Sequence, residues 1–348
     1  VEECSHHEHC SPPEKTHLPT RVIDCSDPSK PRLFDTGRKI VDHYCTLSYA
    51  WGGDQPAKTT TANIHTYTNE GINVPLPQTI AEAIAVTNKL GLKYLWVDAL
   101  CIIQDSDDDK IKELGIMGQI YRHAYLTISV LSAYRADEGF LPDERPPDVL
   151  PYYLAGQPQS PGWCFQESAL SARRLIFQPP NVMYKCRKKA SPANDHILFP
   201  IEGRANNVTP SDEDLRERWR RTLLDYSERK ITVASDKFVA LASIVEVFQS
   251  VMNDQYIAGL WKNNLLHDLH WKVWPPMGPD EGPRLRPEGY RAPTWSWAST
   301  DGRLDLPYSL SPPSSAASYQ AEILSWDVTP KARELPLGEL VDGKLVMR

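Results

Sequence analysis

The chain holds no uninterrupted apolar run long enough to cross a bilayer. Its most apolar window, Tyr94 to Ile103, is broken by Asp98 and is too short for a span. No apolar stretch near the start reads as a secretory signal. Basic tracts are equally scarce. The net charge is -7 and the one compact basic run is Arg187-Lys188-Lys189, which argues against a nucleic-acid partner. The seven cysteines are odd in number and follow no small-domain disulfide framework, so they read as reduced thiols of a cytoplasmic protein. There is no internal repeat and no nucleoside-triphosphatase motif.

Proline and tryptophan, by contrast, are plentiful, at 30 and 10 residues. The prolines concentrate in loops, so long irregular connections are expected. A hydrophobic share of 41% with 24% charged residues describes a globular protein rather than a disordered one. At 348 residues the chain suits one large domain or two ordinary ones.

Residues 1–43 read as an irregular entry in which Arg21-Val22-Ile23-Asp24 and Arg32-Leu33-Phe34 form a short hairpin. A regular alternation follows. Tyr44 to Tyr49 is a strand-like run closed by the turn signal Trp51-Gly52-Gly53-Asp54. A helix starts at Pro77-Gln78-Thr79, keeps apolar residues at Ile80, Ala83, Ile84 and Leu90, and stops at Gly91. Tyr94 to Val97 is a second buried strand. Asp105 to Asp109 supply N-terminal charge to a helix with Ile111, Leu114, Met117, Ile120 and Tyr121 on one face. Leu126 to Val130 and Arg174 to Phe177 are further strands. Strand–helix alternation of this kind predicts a mostly parallel sheet with helices on both faces. Ligands of such sheets sit outside the carboxyl ends of the strands, which puts Trp51, Asp98 to Gln104 and the approach to Glu167 on one rim.

The stretch from about 139 to 161 carries six prolines and reads as a surface lid or loop. Beyond about 205 the pattern changes to helices over Asp212–Ser227 and Asp236–Met252. A second proline-rich stretch, Pro275 to Pro293, then precedes Trp295-Ser296-Trp297 and a strand-like region around Ala321 to Leu324. The expected division is a first domain over 1–204, with its core at about 18–190, and a mixed α+β companion over 205–348.

Several motifs, in order, resemble the fungal heterokaryon-incompatibility (HET) domain. They are Tyr44 to Gly52, Leu76 to Ile80, Tyr94 to Asp105, Met117 with Ile120-Tyr121 and Ala124, and Gly162-Trp-Cys-Phe-Gln-Glu167 with Leu170-Ser171 and Arg173. Later segments are similar to HET proteins as well: Tyr226 to Arg229 with Ile231-Thr232 and Asp236-Lys237, Gly259-Leu260-Trp261, and Ala292 to Trp297. A weaker resemblance is to TIR domains, in the alternation of elements and in Trp163-Cys164 followed by Glu167. It implies a TIR-like (flavodoxin-like) sheet. It also implies that Glu167, matching the glutamate that enzymatic TIR domains use to cleave NAD, is the catalytic residue. The long insertion before Trp163 departs from the TIR pattern.

The chemistry so implied is coherent. The nicotinamide of NAD is already a cationic leaving group, so the site must stabilise an oxocarbenium-like ribose, and one carboxylate in a dry pocket does that electrostatically. Ser48, Tyr49, Trp51, Gly52, Asp98, Cys101, Gln104 and Trp163 make up the expected ligand-binding rim. In it Trp51 would stack on a base and Gly52-Gly53 would admit a phosphate. Each residue also has a structural reading. Glu167 suits a helix start, Trp51 and Trp163 suit packing, and Asp98 suits bonding to neighbouring backbone. Cys101 and Cys164 read as small buried apolar groups. Cys4, His6, His7, His9 and Cys10 have ligand chemistry but match no standard zinc spacing, and His267 with His270 reads as an exposed helix face, so no metal site is expected. The functional expectation is a nucleotide hydrolase of self/non-self recognition and cell death, with NAD as substrate rather than cofactor. A signalling module acting by homotypic assembly and an enzyme of small-molecule metabolism stand as alternatives.

Overall fold

The computed structural model of the chain describes Cys4, His6, His7, Cys10 and residues 12–141, 162–178, 181–186, 210–231, 233–275, 286–307 and 321–348. Most of the expected lid, His9, the basic run 187–189 and part of the second proline-rich stretch lie outside the described residues. The chain divides into one unit of Val1–Leu154 with Glu167–Ser191, and another of Ala155–Gln166 with Pro192–Arg348.

The first unit is built on a seven-stranded sheet. Its strands are β1 (Arg21–Asp24), β2 (Arg32–Asp35), β3 (Cys45–Ser48), β4 (Tyr94–Trp96), β5 (Leu126–Val130), β6 (Arg173–Gln178) and β7 (Asn181–Cys186). They lie in the order β2-β1-β4-β3-β5-β6-β7. The four central strands, β4, β3, β5 and β6, are parallel. Antiparallel partners flank them, β1 on β4 and β7 on β6. The parallel core is thus mainly central, as the alternation predicts, and the entry segment is less irregular than expected because β1 and β2 extend the sheet.

Helices cover both faces. Successive side chains of a strand point to opposite sides, and β3 uses both. The Cys45 thiol meets Thr87 of helix α1 (Gln78–Lys89), while the neighbouring Tyr44 hydroxyl donates to the Ile120 carbonyl of helix α2 (Asp107–His123) at 2.7 Å. Trp96 of β4 meets Tyr121 edge-on, also on the α2 side. Helix α1 ends where expected, with Gly91 in the left-handed region at φ +74°.

Helix α2 differs from its periodic pattern in one respect. Glu113 is fully buried, while Leu114 beside it is only half-buried. The reason is Arg21 on β1, which is not visible from helix spacing. Its guanidinium grips Asp109 at 2.7 and 2.5 Å, donates to the Cys101 carbonyl at 2.7 Å and lies 3.8 Å from Glu113. Burial pushes the Glu113 carboxyl above its ordinary value of 4.5, against the opposing influence of the nearby Thr20 hydroxyl and the charge of Arg21.

In the second unit, helix α4 (Asp212–Ser227) opens with a capping box between Ser211 and Asp214. Helix α5 (Asp236–Met252) ends at the left-handed Asn253. Trp219 sits edge-on to Phe248, Tyr256 and Trp261, at 5.2, 5.4 and 5.2 Å between centroids. Lys237 is buried, pairs with Asp301 at 2.8 Å and is pushed down to about 8 by burial. A long hairpin, β8 (Ile323–Pro330) with β9 (Leu340–Met347), closes the described chain. Among the described residues no helix is long and apolar enough to cross a membrane.

Two predictions follow from the Arg21 cluster. Arg21→Met leaves buried carboxylates uncompensated and should cost about 3–5 kcal/mol in urea unfolding. A raised folded-state pKa means that the native protein holds the Glu113 proton more tightly than the unfolded chain. Wild-type stability relative to Glu113→Gln should therefore be greatest below pH 4.5 and decline as pH rises through the raised value. Unfolding curves at a series of pH values check this.

Candidate functional site

The carboxyl ends of β3, β4 and β5 are tied together through Trp51. Its indole N–H donates to the Asp98 carboxylate just beyond β4 at 2.8 Å, and its carbonyl accepts from the Ala136 amide in the loop after β5 at 3.2 Å. Gly52 makes this crossing possible. It has φ +70°, and a Cβ there would lie 2.6 Å from the Cα of Arg135, so only glycine fits. Parallel strands in the chain order second-first-third-fourth reverse their winding between the first and third. The Trp51 loop lies at that reversal, beside β3 and β5.

Asp98 starts a short helical turn, Asp98–Cys101. Burial pushes its carboxyl up to about 6, although the Ala99 amide at 2.7 Å, the Trp51 indole and the Tyr49 hydroxyl all favour the charged form. The residue as a whole is half-buried, and its carboxyl is walled by protein. Gln104 braces the turn by donating to the carbonyls of Asp98 and Ile102, each at 3.1 Å. Cys101 accepts from the Val97 amide and is pushed up to about 12 by burial, which leaves it a protonated, unreactive thiol at neutral pH. Ser48 is buried and stands opposite Ser129 in the ladder. The Ser129 and Ser132 hydroxyls are buried and have no hydrogen-bond partner among the described residues.

Tyr49, Trp51, Gly52, Asp98 and Gln104 therefore share one rim, with Ser48 and Cys101 buried just behind it. The last two expected residues are placed by helix α3 (Gly162–Leu170). Glu167 is 3% exposed, and one turn beyond it the Ser171 hydroxyl donates to its carbonyl at 2.6 Å. The same Ser171 oxygen meets Thr127 of β5 at 2.6 Å, and Thr127 meets Thr46 of β3 at 2.7 Å. Trp163 belongs to the second unit, where its indole N–H donates to Asp236 at 2.9 Å.

Residues 44–169 match the family model described as Heterokaryon incompatibility protein (HET). This stretch is a HET domain. No curated protein and no solved structure matches the chain. The HET match takes in every rim residue and Glu167, and leaves out the parallel strand β6 and the flanking strands β1, β2 and β7.

One cluster lies outside the HET match. Cys4, His7 and Cys10 meet Cys186 at the end of β7, with all four ligand atoms within 4.8 Å of one another. The Cys-x-x-His-x-x-Cys spacing was the visible sign. Cys186, far along the chain, completes the set and could not be paired with it by spacing. His267 bonds instead to Asn264 and lies beside Asp268, and the His270 ring meets the Leu266 carbonyl.

Replacing Trp51 with Phe keeps a ring and deletes the donor to Asp98. It should cost about 1–3 kcal/mol in chemical denaturation and raise the Asp98 pKa further, read by carboxyl NMR titration.

Proposed function

We propose that the HET domain binds a nucleotide across the Trp51–Asp98 rim and cleaves its N-glycosidic bond, with NAD as the first substrate to test. The observation that carries the proposal is the rim itself: a walled carboxyl held by an indole at the winding reversal of a parallel sheet. A sheet of this winding order binds ligands at that reversal. The order is also that of flavodoxin-like folds, which supports the TIR-like reading of the sheet.

In this reading Gly53, beside whose backbone the space is open, admits the phosphates, Trp51 stacks on a ring, and Asp98 fixes the Trp51 loop as a positioning residue. Glu167 is the carboxylate that stabilises the developing oxocarbenium on the ribose. The glycosidic C–N bond breaks with its electron pair passing to nicotinamide, which leaves as a neutral base, and water adds to the ribose carbon and gives up a proton to solvent. We assign Trp163 to the same motif as a helper in placing helix α3. The biological setting that fits is cytoplasmic, fungal self/non-self recognition ending in cell death, with residues 205–348 as the companion region.

Purified protein incubated with NAD should release nicotinamide, followed chromatographically. Glu167→Gln should lower the rate by about 100-fold or more, and Trp51→Phe should affect KM more than kcat. Absence of release at high protein concentration would refute the hydrolase, and release unchanged by Glu167→Gln would remove that residue from catalysis. A second reading rests on a small cavity in the other unit, lined by Trp219, Trp261, Trp297, Arg216, His267 and Asp268. A metabolite retained there through purification would favour small-molecule metabolism.

A further inference from the structure

The geometry points to a structural zinc site made by Cys4, His7, Cys10 and Cys186. Three sulfurs and one imidazole nitrogen are the ligand set of a closed tetrahedral zinc site. Zinc–sulfur bonds of about 2.3 Å and zinc–nitrogen bonds of about 2.0–2.1 Å at a tetrahedral angle hold sulfur and nitrogen about 3.6 Å apart. The Nδ1 atom of His7 lies 3.5 Å from the Cys186 sulfur and 3.7 Å from that of Cys10. Cys4, Cys10 and Cys186 are all buried, at 1%, 6% and 6% exposure.

The backbone prepares this arrangement. The His7 amide donates to the Cys4 carbonyl at 3.1 Å, and the Cys10 amide to the His7 carbonyl at 3.0 Å. Two successive turns therefore present residues three apart on one side. The fourth ligand comes from the last residue of β7, whose register partner on β6 is Arg173. Three thiolates around a dication leave one net negative charge, and the buried Arg173 side chain lies in contact with Cys4 to balance it. Tyr184, two residues before Cys186 and so on the same strand face, packs against the three sulfurs and shields them.

Two simpler arrangements fit less well. Thiols that merely fill space as small apolar groups do not call for an imidazole nitrogen aimed at two of them. A disulfide uses two sulfurs and leaves the third thiol and the ring unexplained. On binding, each thiol gives up its proton to solvent, so zinc uptake releases protons and no redox step occurs. The ion fastens the segment from Cys4 to Cys10 onto the end of an edge strand, and its role is stability rather than catalysis. The proposal is independent of any nucleotide chemistry.

The full-length protein, desalted under reducing conditions, should carry about one zinc ion per chain by plasma mass spectrometry. Cobalt(II) exchanged into it should give the intense absorption of a tetrahedral thiolate site. Cys4→Ser and Cys186→Ser should lose the bound metal, Cys186→His should retain it, and Cys164→Ser, outside the cluster, should leave the content unchanged. If the serine variants do not fold, wild-type zinc content and the cobalt spectrum decide alone. Metal-free protein that takes up neither zinc nor cobalt would overturn the proposal. So would a Cys4–Cys10 disulfide in peptides mapped without reductant.

Discussion

Strand β3 is buried along its whole length on both faces, and what surrounds it follows from that constraint. A strand with no side open to water must give each polar side chain an internal partner. Thr46 does so by meeting Thr127, which meets Ser171, whose hydroxyl closes on the Glu167 carbonyl. This run of hydroxyls joins the first and third parallel strands and the helix of the most distinctive motif without a single charge. On opposite sides of the sheet, Cys45 and the neighbouring Tyr44 reach different helices. The loop that leaves β3 is therefore delivered to the rim in one orientation, and the Trp51–Asp98 bond builds on it.

Charge enters the sheet only where a partner waits. Arg21 answers Asp109 and Glu113, and Asp98 is answered by an indole, an amide and a phenol rather than by a cation. The difference is chemical. The first cluster is compensated and fixes β1 against α2. The second keeps a carboxyl whose neutral form is favoured by burial at the carboxyl end of a parallel strand, and perturbed carboxyls of this kind gather at functional sites.

Strands β1 to β6, α1, α2, α4 and α5 were legible in the sequence because each depends on local spacing, caps and breakers, whereas β7 and β9 were not. Gly91 marks a boundary that the structure keeps, and the helices over Asp212–Ser227 and Asp236–Met252 keep their expected bounds. What spacing did not reveal depends on residues far apart in the chain. Glu113 faces inward because of Arg21, the hairpin of β1 and β2 joins the sheet through β4, and Cys186 completes a cluster begun at Cys4. The gathering of Tyr49, Trp51, Gly52, Asp98 and Gln104 at the strand ends was readable from the alternation of elements, whereas Trp163 falls in the other unit. The wiring of the rim was not readable, because Trp51 and Asp98 are paired by sheet order rather than by sequence. Glu167 was singled out by motif alone, and the sequence held no sign of the Ser171–Thr127 link that fixes its helix.

The distance in sequence between Arg21 and Asp109, 88 residues, also sets a schedule for synthesis. The N-terminal turns and β1 leave the ribosome first, yet each waits on a late partner: β4 for its ladder, α2 for its counter-charge, and the end of β7 for its thiol neighbours. Strands β3 and β5 likewise pair across all of α1, β4 and α2. Parallel pairing of this kind forms slowly because loops must close before contacts reward them. A nascent chain that has not reached Cys186 therefore holds Cys4, His7 and Cys10 without the fourth member of their cluster.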